Sequence, residues 1–113
     1  MLSVSTLQIP VGEPNFFSKG FRQLIEDHIF ALRSDTTTQI VTLKAQDENK
    51  YIGDFYGLLL TYNITQDMFW ITMRVNNLHS PTDYSGDLKY ILKPSRSIIV
   101  GLLTTFYNSI TIQ

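Results

Sequence analysis

The stretch NITQDMFWITMRVNNLHSP, residues 63–81, decides the fold of this 113-residue chain because it is compatible with two structures. Large apolar residues occupy alternate positions from Phe69 to Val75, and the same alternation extends from Tyr56 to Ile64. A period of two residues is typical of a strand with one buried face, and two such runs around a polar turn predict a β-hairpin. Periodicity alone therefore favours the hairpin.

The signals at the ends of the stretch favour a helix instead. Thr65 is a suitable N-cap, and Asp67 places an acid in the first turn, which suits the helix dipole. Asn76-Asn77 suits a helix C-terminus because asparagine tolerates the left-handed conformation better than most residues. Pro81 fits a helix that has just ended.

Composition indicates one folded domain and excludes several classes of function. Apolar residues make up 43% of the chain and aromatic residues 12%, enough for one core. The net charge of −1 offers no electrostatic footprint for nucleic acid or an anionic membrane. The absence of cysteine excludes disulfides and thiolate metal sites. The most apolar segment, residues 97–112, is too short to span a bilayer, so no membrane insertion is expected.

The N-terminal third divides into an arm and a helix. Residues 1–17 contain two prolines and a glycine without a regular period, which predicts an extended arm that becomes ordered on a partner. A helix over residues 18–35 is predicted from the cap-type residue Ser18 and an apolar stripe. The stripe consists of Phe21, Leu24, Ile25, His28, Ile29 and Leu32.

Two strands are predicted on either side of the central region. Gln39–Ala45 is rich in β-branched residues, and Asp87–Pro94 ends at a proline that cannot continue a ladder. Asp47 is a candidate cap for the helix after the first strand. The final segment is open between a helix capped by Ser95 or Ser97 and a strand, because its β-branched residues weaken the helix.

The order strand, helix, helix, strand resembles a LysM-type unit. VTLKAQD at residues 41–47 precedes a first helix closed by Tyr62-Asn63, and the second helix is closed by Asn76-Asn77-Leu78. Residues 88–94 match the closing strand. More narrowly, the chain resembles the LysM-like wedge proteins of contractile-tailed phage baseplates, in which an aromatic pair, here Phe69-Trp70, lies early in the second helix.

The resemblance covers about residues 39–106 and favours the helices over the hairpin. It also has departures. The loop between the two helices is one residue longer than usual, and Ser80 replaces an aspartate before the proline. Gly53 and Gly57 fall in the first helix, where each would cost about 1 kcal/mol relative to alanine.

The resemblance implies an α+β fold in a single domain of residues 1–113. The expected parts are the arm, the amphipathic helix, a LysM-like β-α-α-β core over residues 39–95, and a partner-binding helix or strand over residues 96–113. The implied function is that of a structural subunit of a phage or phage-like tail baseplate. Such a subunit binds other tail proteins in a multi-copy ring, belongs to the virion and is assembled in the host cytoplasm.

No catalytic or metal chemistry is predicted. His28 lies on the apolar stripe and is expected to be a packing residue. His79 lies near Ser80 and Asp83, but no nucleophile elbow accompanies it. Glu26, Asp27 and His28 are adjacent on a helix and cannot converge on one ion. We therefore expect neither enzymatic activity nor a cofactor.

The predicted partner-binding residues are large or amphipathic side chains. Tyr56 and Trp70 are expected to point outward as interface anchors, whereas Tyr51, Phe55, Tyr62 and Phe69 are expected in the core. Arg74 is expected to lay its stem along Trp70 and keep its guanidinium free for a partner. The full set is Tyr56, Trp70, Arg74, His79, Ile98, Ile99, Leu102 and Phe106.

Two alternative functions follow from the same residues. One is a peptidoglycan-binding LysM module, with its groove around Asp47-Glu48 and Leu78-His79. The other is a small head–tail connector or tail terminator protein built on an antiparallel sheet, which follows from the hairpin interpretation.

Overall fold

A computed structural model describes residues 19–112, with the side chains of residues 19–108. Within this range the chain forms six α-helices and one two-stranded antiparallel sheet, which confirms the predicted α+β class. None of these helices is long and apolar enough to cross a membrane. The predicted arm and the Ser18 cap lie outside the described residues. The elements are α1 (Lys19–Asp27), α2 (Ile29–Ser34), β1 (Gln39–Thr42), α3 (Ala45–Lys50), α4 (Phe55–Thr61), a 3₁₀ turn (Gln66–Met68), α5 (Phe69–Val75), a second 3₁₀ turn (Pro81–Asp83), β2 (Tyr90–Lys93) and α6 (Arg96–Ile112).

The central region is helical, so the hairpin prediction is wrong. Helix α4 begins at a cap in which the Asp54 carboxylate accepts a hydrogen bond from the Gly57 N–H at 3.1 Å. A Cβ atom at residue 57 would come within 2.3 Å of that carboxylate, so glycine makes room for the cap. Gly53 lies before the helix with a φ of +76°. Both glycines therefore serve the start of the helix: Gly53 precedes it, and Gly57 lies in its first turn.

Helices α4 and α5 end in the same way, at an asparagine in the left-handed conformation. Asn63 has a φ of 66° and Asn77 a φ of 68°. After α5, the Leu78 N–H donates to the Met73 carbonyl at 3.1 Å and the Asn77 N–H to that of Arg74 at 3.0 Å. This is a Schellman motif, and the equivalent bonds follow α4. The predicted helix end at Asn76-Asn77 is confirmed.

The start of the second predicted helix differs in detail. The 3₁₀ turn from Gln66 to Met68 precedes α5, and the Thr65 side chain does not cap a backbone N–H. Its hydroxyl instead donates to the Asp67 carboxylate at 2.6 Å. The predicted N-cap is therefore wrong in its bonding, because the Thr65 hydroxyl donates to a side chain and accepts from no backbone N–H of the described turn.

The predicted N-terminal helix is interrupted at His28, which separates α1 from α2. The imidazole Nδ1 lies 2.9 Å from the Leu24 carbonyl, which can only accept, so Nδ1 donates. This carbonyl is the α-helical partner of the His28 N–H, which donates instead to the Ile25 carbonyl at 3.0 Å. The side chain thus competes with the backbone and breaks the helix.

The sheet pairs β1 with β2 in a register that places Gln39 opposite Lys93 and Thr42 opposite Tyr90. Ile91 is fully buried, and its cross-strand partner Val41 shares the core face. The first strand is shorter than the predicted Gln39–Ala45, because Ala45 already begins α3.

Asp47 is the predicted cap of the helix after β1, but it lies inside α3 and does not form the cap. Its side chain is buried, and its carboxylate accepts a hydrogen bond from the Tyr62 hydroxyl at 2.7 Å. Tyr62 directly follows the last residue of α4 and connects this helix to α3, since its oxygen also accepts from the Lys44 N–H at 2.8 Å. Asp47 is a residue type that suits an N-cap. Its bond to Tyr62, however, holds it in the first turn of α3 and not at the position before the helix.

The final segment is the helix α6, so its strand alternative is wrong. The Ser95 hydroxyl accepts from the Ser97 N–H at 3.2 Å at the start of the helix. Ile99 and Leu103 are fully buried, and the Phe106 ring packs 6.1 Å from that of Phe21 in α1. These contacts attach α6 to the rest of the core.

The core draws on every part of the described chain. Phe55 is fully buried as predicted, whereas Tyr51, Tyr62 and Phe69 are only half-buried against it. Tyr84, which the sequence patterns do not single out, is buried and donates its hydroxyl to the Glu48 carbonyl at 2.6 Å. The buried apolar residues are Phe21, Ile25, Leu32, Leu43, Phe55, Leu58, Leu59, Ile64, Met68, Ile71, Met73, Val75, Tyr84, Ile91, Ile99 and Leu103.

Candidate partner-binding surface

The face of α5 that turns towards α1 carries the chain's only tryptophan. The cation over the Trp70 ring is the Arg22 guanidinium, 4.8 Å from the ring centroid, and not Arg74 as predicted. Trp70 is half-buried in this contact. A guanidinium over an indole is attracted by the ring quadrupole, which adds to the packing of α1 on α5.

Arg74 is held within the chain, so the prediction of a free guanidinium is wrong. Its Nε and Nη2 donate to the two carboxylate oxygens of Glu26 at 2.5 and 2.9 Å, and its Nη1 donates to the Leu78 carbonyl at 2.9 Å. The hydrogen bonds with Arg74 lower the pKa of Glu26, and those with Glu26 raise the pKa of Arg74. Arg74 therefore fastens α1 to the end of α5.

Tyr56 lies beside this region and packs against Phe69, with ring centroids 5.0 Å apart. Desolvation raises the pKa of the Tyr56 hydroxyl, and the positive charge of Arg22 opposes that shift. Together Tyr56, Phe69, Trp70 and Arg22 form an aromatic face in which every residue is half-buried. The partly exposed rings of the aromatic face contribute apolar area to the surface.

The other predicted contact residues lie in different surroundings. Ile98, Leu102 and Phe106 are half-buried on α6, but Ile99 is fully buried in the core and is not available at the surface. His79 is exposed in the turn after α5, and its charge helps to lower the pKa of Glu26. Ile99 is thus not part of the predicted surface.

Large apolar side chains that the sequence patterns miss project much further into solvent. The most exposed is Phe30 on α2, at 83% of its full accessible area. Phe30 is not part of the apolar stripe of the first predicted helix, and an apolar residue outside such a stripe is expected to be exposed. The others are Ile40, Ile52, Leu60 and Tyr90. Exposed apolar side chains mark a protein-binding surface where they form a contiguous patch, whereas single ones are common on any protein.

A concave site of about 420 Å³ lies between the 3₁₀ turn before α5 and the start of α6. Ile64 and Met68 contribute apolar walls, and Asp67 and Arg96 form an ion pair at the site. Thr72 lines the site, and its buried hydroxyl has no hydrogen-bond partner among the described residues. The lining residues are Asn63, Ile64, Thr65, Asp67, Met68, Thr72, Lys93, Pro94 and Arg96. Its size suits a partner's side chain or a small ligand.

Within residues 19–112, no group of three or more histidine, aspartate or glutamate side chains is arranged to hold a metal ion. The carboxylates named for the glycan groove are engaged inside the chain. Asp47 accepts from Tyr62, and Glu48 pairs with Lys89 at 2.6 Å.

Comparison with known proteins identifies no relative. No protein-family model, curated protein or solved structure matches this chain.

Proposed function

We propose that this chain is a structural subunit of the tail baseplate of a phage or phage-like particle, in which it binds neighbouring baseplate proteins in a multi-copy ring. The observation that carries the proposal is the order of elements between two paired strands. Strand β1 leads into helices, and the chain returns in β2 to pair antiparallel with β1. This order agrees with a LysM-like core over residues 39–95.

The helix ends support the same core. In the resemblance, Tyr62-Asn63 closes the first helix and Asn76-Asn77-Leu78 closes the second. Both asparagine caps adopt the left-handed conformation that such closures require. Helix α3 is an additional short helix before the pair, so the resemblance is closest over α4, α5 and β2.

The exposed side chains support binding to proteins. Phe30 and Leu60 project from α2 and α4, and the aromatic face offers a further apolar area on α5. A subunit that meets several different neighbours needs separate contact areas of this kind, and rings such as phenylalanine are effective anchors. The proposed location is the tail baseplate of the virion, after assembly in the host cytoplasm.

The proposal is tested in the particle that carries this protein. Deletion of the gene should yield particles whose tails lack baseplates in negative-stain electron micrographs, and mass spectrometry of purified tails should detect the protein. Complementation with wild type should restore the baseplates, whereas Phe30→Ser together with Leu60→Ser should not. Thr104→Ser, at an exposed position away from both, is the matched control. Complete baseplates without the protein would refute the proposal.

The two alternatives have less support. A head–tail connector follows from a hairpin over residues 56–75, and this region forms α4 and α5. A peptidoglycan-binding module would use the carboxylates of Asp47 and Glu48, which bond to Tyr62 and Lys89. Sedimentation with insoluble cell wall separates this alternative from the baseplate proposal, which expects the protein to stay in solution.

A further inference from the structure

The outer edge of β1 carries backbone groups that point away from the sheet. Residues of an antiparallel strand direct their N–H and C=O groups alternately towards the partner strand and away from it. The Leu43 N–H donates to the Lys89 carbonyl at 3.0 Å, so Val41 and Gln39 also face β2 in this register. Ile40 and Thr42 therefore direct their backbone groups outward.

The two edges of the sheet differ in how they are covered. On β2, the Asn76 side chain accepts from the Leu92 N–H at 2.8 Å and donates to the Leu92 carbonyl at 2.9 Å. Among residues 19–112, no group bonds to the outward N–H or C=O of Ile40 or Thr42. The β2 edge is thus closed at its centre, while that of β1 is available.

The sequence of β1 lacks the features that prevent edge pairing. QIVT, residues 39–42, contains no charge and no proline, and Ile40 exposes 66% of its area. Natural edge strands usually carry a lysine, a proline or a bulge that blocks the addition of another strand.

We propose that β1 pairs antiparallel with β1 of a second copy of this chain, around a two-fold axis at Val41. The available groups belong to Ile40 and Thr42, which are two residues apart. In this register each Ile40 forms a hydrogen-bonded pair with Thr42 of the other copy. The four strands then run in the order β2, β1, β1, β2. The inference is independent of the baseplate function.

Neighbouring groups exclude the other registers. A pairing centred on Ile40 would require the Thr38 N–H, which already donates to the Asp35 carbonyl at 3.1 Å. A pairing centred on Thr42 would require the Lys44 N–H, which donates to the Tyr62 hydroxyl at 2.8 Å. Only the axis at Val41 uses groups that are available. It produces a closed two-fold dimer, the commonest form of protein assembly.

A cysteine cross-link tests the axis directly, because the natural chain contains no cysteine. Val41 faces itself across the axis in a non-hydrogen-bonded pair, with Cα atoms about 4.5 Å apart, within the range of a disulfide. Val41→Cys should form a covalent dimer under mild oxidation. Gln46→Cys, at an exposed position in α3, is the matched control and should stay monomeric. Equal cross-linking of the two variants would overturn the proposal.

Two pairs of charge substitutions test the register in solution by sedimentation. Wild type should sediment as a species of twice its 13.0 kDa mass. Ile40→Lys with Thr42→Lys places like charges opposite each other and should give a monomer. Ile40→Glu with Thr42→Lys places opposite charges together and should restore the dimer. Circular dichroism should show the same helical content in all three proteins, which separates loss of pairing from unfolding.

The outcomes against the proposal are equally specific. A wild-type monomer, or a dimer that the two lysines leave intact, would overturn it. A wild-type monomer that binds another tail protein, with the binding lost in the double-lysine variant, would assign the β1 edge to that protein instead. Failure of the baseplate proposal would appear only in the particles, as complete baseplates after deletion of the gene.

Discussion

Arg74 at the end of α5 and Glu26 in α1 form a bidentate ion pair, which connects two helices that are far apart in the sequence. The guanidinium meets both carboxylate oxygens and also holds the Leu78 carbonyl just beyond the helix end. Arg74 is mostly buried, with 13% of its side chain exposed. The pair therefore lies at the boundary between surface and core, where a charge-assisted bond contributes more than it does in open solvent.

Glu26→Gln should lower the free energy of unfolding by about 1 kcal/mol at pH 7, since the neutral amide keeps only part of the bonding and the carboxylate is partly screened. Chemical denaturation measures the change. Glu48→Gln is the matched control, because its partner Lys89 is 78% exposed and such pairs contribute little. Equal losses in the two variants would contradict the importance of the Arg74 bond.

The same ion pair predicts a dependence of stability on acid. The pKa of Glu26 in the folded chain lies below its ordinary value of 4.5, so the unfolded chain binds the proton more readily. Its contribution is complete above pH 4.5 and is lost as the pH falls through the lower folded pKa. In Glu26→Gln the loss of stability in acid should be smaller. It should not vanish, because the hydrogen bond with Arg96 also lowers the pKa of Asp67, which adds its own loss of stability in acid. Thermal unfolding at several pH values measures the difference.

Asn76→Ala should destabilise the protein by about 2 kcal/mol, because the N–H and carbonyl of Leu92 both lose their partner in a half-buried site. Amide hydrogen exchange should become faster at Leu92, the group that the asparagine covers. Asn76→Asp should be at least as harmful, since a carboxylate cannot donate to the Leu92 carbonyl. Gln46→Ala, at an exposed helical position, is the control. Unchanged exchange at Leu92 in Asn76→Ala would refute the role of this side chain.

Thr72→Val should raise the free energy of unfolding by about 1 kcal/mol. The Thr72 hydroxyl is buried without a hydrogen-bond partner in the described part of the chain, and a methyl group of similar size removes the cost of desolvating it. Thr104→Val, at an exposed site in α6, should change stability by less than about 0.5 kcal/mol. A clear loss of stability in Thr72→Val would mean that the hydroxyl has a partner in solution.

Asn77→Gly and Asn77→Ala should change stability in opposite directions. Residue 77 has a φ of 68°, which glycine adopts freely and alanine adopts at a cost of about 1 kcal/mol. Urea denaturation of the two variants measures the difference. If both variants were equally stable, the left-handed conformation at the end of α5 would be disproved.

The local signals in the sequence predict the fold better than its long-range contacts. The asparagines that end α4 and α5 are predictable because left-handed residues and their hydrogen bonds depend on a few neighbouring positions. The strand-like alternation from Phe69 to Val75 misleads, since a short buried helix can contain apolar residues on most of its surface. In α5 the residues Ile71, Thr72, Met73 and Val75 are all buried.

The side chains of the predicted surface are harder to derive from the sequence. Arg74 lies one turn from Trp70 along α5, which predicts their contact, but Glu26 and Arg22 arrive from α1 and take both roles. Nothing in the local sequence indicates how α1 packs on α5. The same limit applies to Ile40, because the exposure of its side chain depends on which face of the sheet the other elements cover.

The position of Trp70 beneath Arg22 has a practical consequence for folding studies. Because it is the only indole in the chain, its emission reports on one place alone, the junction of α1 and α5. Far-ultraviolet circular dichroism instead averages over all the helices. A titration in which the fluorescence transition precedes the dichroism transition would identify an intermediate whose first helix has separated from a still-folded remainder.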